Sequence, residues 1–180
     1  MSNVSTDTIP VLTLRCMVQR DLPHVLHIEQ QAPEPRWTLQ DFLTIFQSGD
    51  TASWVAEVGG RVVGFVVYSI IPQVDLEDEA EGPSESRSRF AEDEPLPRPV
   101  RICLLNIGVA PEWRRRGIGR ALLERLNKKL RLPQDRIQAL VPETNPPVQL
   151  FLKHAKCRAV RVLRSYYHDE DAYLMERTRD

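Results

Sequence analysis

Three cysteines, no long apolar run and almost no net charge limit what this 180-residue chain can be. Cys16, Cys103 and Cys157 are far apart and form no C-x-x-C pair, which argues against a disulfide framework or a zinc site. The longest nearly continuous apolar run, 62–71, has about half of the ~20 residues that a membrane-spanning helix needs. Residues 1–10 lack the basic-then-apolar pattern of a secretion signal. These absences predict a cytoplasmic protein with reduced thiols and no membrane segment.

The net charge of −1 gives no overall field that favours nucleic acid, but the charges are unevenly distributed along the chain. Residues 114–131 hold eight Arg or Lys and one acid, whereas residues 75–94 hold nine acids and two arginines. The acidic run belongs to residues 73–99, which contain too few large apolar side chains to offset their ordering entropy. We therefore expect a flexible acidic loop inserted into a single domain of residues 1–180. A solvated face is its simplest interpretation, and a regulatory or docking role is the alternative.

Hydrophobic periodicity predicts strands and helices in the order β-α-α-β-β-β-α-β-α-β-β, which is a mixed α/β domain. Gly59 and Gly60 join two apolar strands as a two-residue hairpin turn. Residues 100–109 are almost continuously apolar, which favours a central strand buried on both faces. Thr38 and Asn145 each precede an apolar-periodic segment and are expected to be helix N-caps.

Residues 104–123 carry the strongest chemical signal in the chain. An apolar strand stops at Pro111, and a basic turn containing Gly117 and Gly119 then opens directly into an amphipathic helix. Such a turn presents unpaired backbone N–H groups at the positive end of a helix, which suits a diphosphate. Four arginines add positive charge and donors for phosphate oxygens: Arg114, Arg115, Arg116 and Arg120. We predict that this turn, residues 114–120 and hereafter the cradle, holds the pyrophosphate of a coenzyme.

Two other classes of nucleotide-binding protein do not fit the cradle. A dinucleotide-binding fold would need a third glycine at Leu122 and an acid at the end of the next strand. A phosphate-loop NTPase would need Gly-Lys-Ser or Gly-Lys-Thr, which the chain lacks.

The run Arg114-Arg115-Arg116-Gly117-Ile118-Gly119 resembles the (Arg/Gln)-x-x-Gly-x-(Gly/Ala) motif of the GNAT superfamily of acyl-CoA-dependent N-acyltransferases. The resemblance extends over residues 14–176 and is strongest to the ribosomal-protein-alanine and related protein N-terminal acetyltransferases. It implies an α/β, GNAT-like fold, with a central, mostly antiparallel sheet, one splayed parallel pair and about four flanking helices. Further segments that carry it are His27-Ile28-Glu29, Trp37-Thr38, Glu143-Thr144-Asn145, Tyr166-Tyr167 and Asp171-Ala172-Tyr173-Leu174-Met175.

The resemblance also implies a co-substrate and a set of binding residues. The co-substrate would be acetyl-CoA, with no metal. A bulged strand at residues 107–109 would pair with the pantetheine arm and position the thioester. Trp37, Tyr166 and Tyr167 would line the groove for an incoming protein amino terminus. The residues expected to bind the coenzyme are Ile107, Gly108, Val109, Arg114, Arg115, Arg116, Gly117, Ile118, Gly119, Arg120 and Asn145.

The catalytic positions of the relatives are occupied by carbon side chains here. Relatives place a Glu or His base five residues before the motif Asn, where this chain has Leu140, and a Tyr acid seven residues after it, at Leu152. Glu143 is the nearest alternative base, with His154 and Tyr167 as weaker candidates. Without such a base, the enzyme would rely on positioning, backbone polarisation and water, or the domain would bind acyl-CoA without efficient turnover.

The sequence thus predicts an acetyl-CoA-dependent N-acetyltransferase that acts on a protein amino terminus by direct attack in a ternary complex. Cys103 and Cys157 are interpreted as core residues rather than nucleophiles. The alternatives are a GNAT enzyme for a small amine or a lysine side chain, and a non-catalytic acyl-CoA-binding module whose acidic loop docks a partner. The expected partners are acetyl-CoA and the amine substrate, without nucleic acid or membrane, for a monomer or weak dimer.

Overall fold

The computed structural model describes residues 11–33, 36–73, 98–167 and 169–179. Four helices and seven strands follow one another in the predicted order, with a short 3-10 turn before the first helix and another before the third. The acidic segment of the predicted insertion, residues 74–97, lies outside the described residues. The elements are β1 Leu12–Cys16, α1 Leu22–Glu29, α2 Leu39–Gln47, β2 Thr51–Val58, β3 Arg61–Pro72, β4 Val100–Val109, α3 Ile118–Asn127, β5 Arg136–Pro142, α4 Pro146–His154, β6 Arg158–Tyr167 and β7 Glu170–Thr178.

The seven strands form one sheet in the order β1-β2-β3-β4-β5-β7-β6. Over the described ranges, β4 and β5 are the only parallel neighbours, and the other five pairings are antiparallel. The mixed α/β fold expected from the sequence, with one parallel pair and four helices, is confirmed.

Local sequence signals account for the first half of the fold. Gly59 and Gly60 turn the β2–β3 hairpin with φ of +56° and +79°, conformations that suit glycine. Thr38 caps α2 through its Oγ1, which accepts a hydrogen bond from the Asp41 N–H, and the Asp41 carboxylate accepts one from the Thr38 N–H at 2.6 Å. This capping box fixes where α2 begins.

Two hydrophobic clusters cover the two faces of the sheet. Val66 and Tyr68 of β3 belong to the cluster that also contains residues of α3 and α4, whereas Phe65 and Val67 belong to the cluster that contains residues of α1 and α2. The strand buried on both faces is therefore β3, whose residues from Val63 to Tyr68 are all buried.

The apolar sequence of residues 100–109 predicted a strand, β4, that is buried on both faces. This prediction was wrong for residues 105–109. Ile102 and Leu104 are buried, but Leu105 is 41% exposed and residues 106–109 are half-buried. The physical reason is that β4 loses β5 as a neighbour beyond Leu104, so that one side of the strand is left open.

Candidate functional site

The candidate site lies where β4 and β5 separate. The two strands pair over only four positions, from Arg101 with Arg136 to Leu104 with Ala139. Beyond this point β4 stays paired with β3 as far as Val109, while β5 pairs with β7 as far as Pro142. A gap therefore opens between the two strands. In the described parts of the chain no strand pairs with β4 on this side after Leu104, so its backbone groups there are available to an extended ligand.

A β-bulge coincides with the start of the gap. In the β3–β4 register, Val67 is opposite Asn106 and Tyr68 is opposite Leu104, so Leu105 is the extra residue. Residues 107–109, where the sequence placed the bulged segment, pair regularly with β3. The bulge thus lies two residues earlier than expected, and its extra residue changes which side chains of β4 face each side of the sheet.

A 3-10 turn, Pro111–Trp113, follows β4, and the cradle begins directly after it. Gly117 is the N-cap of α3 and has φ of +81°, and a Cβ placed on it would meet no atom within 4 Å. The Ala121 N–H bonds to the Gly117 carbonyl, while the N–H groups of residues 115–120 make no backbone hydrogen bond within the described part of the chain. These donors lie at the positive end of a ten-residue helix, and the open space above Gly117 lets an anion approach them.

The arginine side chains of the cradle have different surroundings. The Arg114 Nε donates to the Val109 carbonyl at 3.0 Å, which ties the cradle to the end of β4. The Arg116 guanidinium lies 5.0 Å from the ring centroid of Trp113, and Arg120 forms an exposed ion pair with Glu124. Arg115 is exposed and has φ of +61°, an unusual conformation for a residue with a side chain.

Two of the predicted coenzyme-binding glycines have packing roles in the structure. A Cβ on Gly108 would lie 2.5 Å from Phe65 Cε1, and a Cβ on Gly119 would lie 3.1 Å from Phe151 Cε2. Both contacts are tighter than a side chain tolerates without movement of the neighbour, so close packing alone accounts for glycine at these positions. Gly117, whose surroundings are open, is the glycine best suited to admit a phosphate.

Asn145 and α4 follow directly after β5, the strand on the other side of the gap. The Asn145 Oδ1 accepts a hydrogen bond from the Val148 N–H at 3.3 Å and caps α4, as the sequence predicted. Leu152 is fully buried in the core, and Phe151 lies against Gly119 at the start of α3. Leu140 is half-buried in β5 opposite Leu174. None of these carbon side chains transfers a proton.

The loop that contains Glu143 is fastened to the tip of the β6–β7 hairpin. The Glu143 N–H donates to the Asp171 carbonyl at 2.9 Å, and the Glu143 Oε1 accepts from the Asp171 N–H at 3.4 Å. The Glu170 carboxylate accepts hydrogen bonds from both the backbone N–H and the hydroxyl of Thr144. The structure therefore brings Glu143 to the hairpin that carries Tyr166 and Tyr167.

The tyrosine pair stacks edge to face, with ring centroids 4.9 Å apart. Tyr166 is half exposed, and burial raises the pKa of the Tyr167 hydroxyl, with smaller contributions from Tyr166 and Glu170. Tyr167 is therefore protonated at neutral pH and suits proton donation better than proton abstraction.

Trp37 lies on the β4 side of the gap. Its ring packs edge-on against Phe42, with centroids 5.3 Å apart, and its backbone N–H donates to Glu29. The tyrosine pair is carried by β6, which lies two strands beyond β5 in the order of the sheet. Sequence reasoning gave no role to the buried Glu29 or to the hairpin acids Glu170 and Asp171, although Glu29 and Asp171 lie in segments that carry the family resemblance. Their roles depend on contacts between distant segments, which the sequence does not show.

The structure argues against Cys157 as a nucleophile and places His154 on an exposed helix turn. Cys157 is 3% exposed, and burial raises the pKa of its thiol to about 11, which fits a core residue and not a nucleophile. His154 is exposed on the last turn of α4, where its Nδ1 lies 2.7 Å from the Leu150 carbonyl oxygen.

Among the described residues, no three His, Cys, Asp or Glu side chains come together as a metal site. Within the same residues, each helix is too short or too polar to cross a bilayer.

A parallel strand pair that separates after four positions, next to a glycine-bearing helix start, suits an extended ligand that carries phosphate groups. Residues 22–155 match the model of the Acetyltransferase (GNAT) family, and the chain belongs to this family. It is thus an N-acetyltransferase that uses acetyl-CoA, as the sequence predicted.

Related proteins agree with this assignment. The N-alpha-acetyltransferase of Sulfurisphaera tokodaii is 30% identical over 159 residues, which is 86% of each chain. The structure of the ribosomal-protein-S18-alanine N-acetyltransferase from Escherichia coli superposes with a TM-score of 0.68 at 23% identity, over 94% of this chain and 95% of that one. The structure of Arabidopsis thaliana NAA60 in complex with acetyl-CoA superposes with a TM-score of 0.70 at 23% identity, over 93% of this chain and 98% of that one. The resemblance to protein N-terminal acetyltransferases is confirmed.

Proposed function

We propose that the acceptor is the α-amino group of a protein amino terminus, which attacks the acetyl thioester directly in a ternary complex. The observation that carries this proposal is the combination of an open gap with Leu140 and Leu152 at the expected base and acid positions. An α-amine has a pKa of about 7.7–8.0 and a lysine amine about 10.4, so the neutral fraction at pH 7 is a few hundred-fold larger for the α-amine. A site without a strong base suits the amine that loses its proton more readily.

The described residues fit acetyl-CoA as the donor. The N–H groups of the cradle and the open space above Gly117 suit a pyrophosphate. The unpaired edge of residues 107–109 suits the amide groups of the pantetheine arm, and Asn145 lies at the start of the opposing helix. The coenzyme supplies an activated acetyl group with a thiolate leaving group.

Three groups on the acceptor side have complementary roles in this proposal. Trp37 and Tyr166 offer apolar surface on either side of the gap for the first residues of the peptide. Glu143, exposed at the end of β5, takes the ammonium proton directly or through water. Tyr167, protonated at neutral pH, donates a proton toward the departing thiolate.

The competing acceptors are a lysine side chain and a small amine. The purified protein would be incubated with acetyl-CoA and three acceptors: a peptide with a free amino terminus and no lysine, the same peptide with a blocked amino terminus and one internal lysine, and a small aliphatic diamine. We expect transfer to the first, located on the α-amino group by mass spectrometry. Transfer confined to the lysine peptide or the diamine would overturn the proposal. The third alternative, a non-catalytic module, is disfavoured by the family assignment.

A further inference from the structure

A buried carboxylate joins the two sides of the candidate site. Glu29 is the last residue of α1 and is 4% exposed. Its Oε1 accepts two hydrogen bonds, from the Trp37 backbone N–H at 2.9 Å and from the Asn106 Nδ2 at 3.1 Å. A carboxylate withdrawn from water is destabilising unless such donors satisfy it, so its position is set by these two partners.

The two partners of Glu29 come from functionally different segments. Trp37 starts the stretch that leads into α2 and belongs to the proposed acceptor groove. Asn106 follows the bulged Leu105 in β4 and precedes the coenzyme-facing residues 107–109. Glu29 and Asn106 are 77 positions apart in the chain, so this contact exists only in the folded protein.

The packing around this contact leaves little freedom for adjustment. A Cβ on Gly108 would lie 3.2 Å from the Ile28 Cγ2, which shows that the last turn of α1 lies directly against β4. Trp37 packs on Phe42, and Phe42 packs on Phe65 with centroids 5.7 Å apart. The end of α1, the Trp37 segment and β4 are therefore packed closely against one another.

We propose that Glu29 is a positioning residue that holds the acceptor groove at a fixed distance from the donor strand. It acts as a hydrogen-bond acceptor shared by Trp37 and Asn106, and it does not touch the reacting atoms. This inference rests on the proposed function, because it assigns Trp37 to the acceptor groove. Loss of the shared acceptor removes the hydrogen bond that holds the Trp37 segment in place, so it is expected to weaken binding of the peptide more than binding of the coenzyme.

The test compares three variants in steady-state kinetics and thermal unfolding. Glu29→Leu removes the acceptor and fills the space, whereas Glu29→Gln keeps an oxygen that accepts both hydrogen bonds. Asp135→Ala is a matched control, because Asp135 is a buried acid at the far end of β4 that accepts hydrogen bonds from the Val100, Arg131 and Leu132 N–H groups.

We expect Glu29→Leu to lower kcat/KM for the peptide at least tenfold, chiefly through a higher peptide KM, while the Kd for acetyl-CoA changes less than twofold. Glu29→Gln is expected to remain within threefold of the parent protein. Asp135→Ala is expected to lower the Tm without a change in peptide KM at temperatures where it is folded. The inference is overturned by unchanged peptide kinetics in Glu29→Leu, by an equal loss of acetyl-CoA affinity, or by the same kinetic change in Asp135→Ala.

A second variant keeps the inference testable if Glu29→Leu does not fold. Asn106→Leu removes only the β4 side of the shared contact and leaves the Trp37 bond in place. The peptide KM should again rise while the acetyl-CoA Kd is kept, and an unchanged peptide KM would contradict the inference. If the parent protein acetylates only a lysine or a small amine, the proposed function fails, and the Glu29 comparison is then made with that acceptor.

Discussion

At the scale of single residues, proton transfer is the step in which one side chain matters most. Glu143 is an exposed carboxylate just after β5, and both its backbone N–H and its Oε1 are hydrogen-bonded to the backbone of Asp171. A general base contributes about 10²–10⁴-fold to a rate when it is well placed. In the function proposed above, Glu143 accepts the ammonium proton, and Tyr167, which is protonated at neutral pH, donates a proton toward the thiolate.

We predict that Glu143→Gln lowers kcat/KM for an amino-terminal peptide by about tenfold or more, because the neutral amide cannot accept the ammonium proton. The measurement is kcat/KM for one amino-terminal peptide across pH 5–9, with Asp50→Asn as an exposed-acid control. An unaltered kcat/KM in Glu143→Gln would exclude Glu143 as the base and leave water in that role.

At the scale of elements, the cradle and the β4–β5 gap follow from the sequence to different degrees. The motif and the glycine turn specified the start of α3 because they are local signals, and the N-caps Thr38 and Asn145 were predicted for the same reason. The bulge at Leu105 and the length of the gap could not be predicted locally. They depend on the register of β3 against β4 and on the pairing of β5 with β7, and both are contacts between segments that are distant in the sequence.

The same distinction explains the interpretation of the glycines. Gly108 and Gly119 belong to the recognised motif region, yet the structure shows the rings of Phe65 and Phe151 against them. Neither contact is visible in the sequence, because Phe65 is 43 positions before Gly108 and Phe151 is 32 positions after Gly119. The carboxylate of Glu29 was missed for this reason as well.

For the cradle we predict that Gly117→Glu weakens acetyl-CoA binding at least tenfold, equivalent to about 1.4 kcal/mol. The new side chain occupies the open space above the N–H groups and adds a negative charge beside a diphosphate. Gly60→Glu is a matched control, since Gly60 has φ of +79° and equally open surroundings in the β2–β3 turn. Both variants should lose a similar stability, about 1–2 kcal/mol for the left-handed backbone. If calorimetry gives the same acetyl-CoA affinity for the two variants, residues 114–120 do not bind the pyrophosphate as proposed.

At the scale of the whole molecule, buried acids connect the segments around the sheet. Asp21 is 4% exposed, and the hydrogen bond from the Arg15 side chain holds its pKa below the ordinary value. Burial raises the pKa of Asp135, but the N–H groups of Leu132, Val100 and Arg131 outweigh this and keep the pKa low. Each lowered pKa adds stability that is present above the unfolded-state value of about 3.9 and is lost as the pH falls through the folded-state value.

We therefore predict that Asp21→Asn lowers the free energy of unfolding by about 1–3 kcal/mol at pH 7, because a charged hydrogen bond to Arg15 is lost. The difference from the parent protein should shrink as the pH falls from about 3.9 through the lower folded-state pKa, because the carboxylate is protonated first in the unfolded chain and then in the folded protein. Urea unfolding at pH 7 and at pH 3 measures both values. A difference that stays constant with pH would show that Asp21 does not contribute through its charge.

The proposed function places the acetyl donor and the peptide acceptor at one opening in the sheet, between β4 and β5. A crystal structure with a bisubstrate conjugate, CoA joined through an acetyl linker to the amino terminus of a short peptide, tests this most directly. We expect the pyrophosphate on the N–H groups of residues 115–120, the pantetheine beside residues 107–109, and the peptide between Trp37 and the Tyr166–Tyr167 pair. A conjugate bound outside the β4–β5 gap, for example at the basic cleft lined by Arg98, Lys128 and Arg131, would contradict the account.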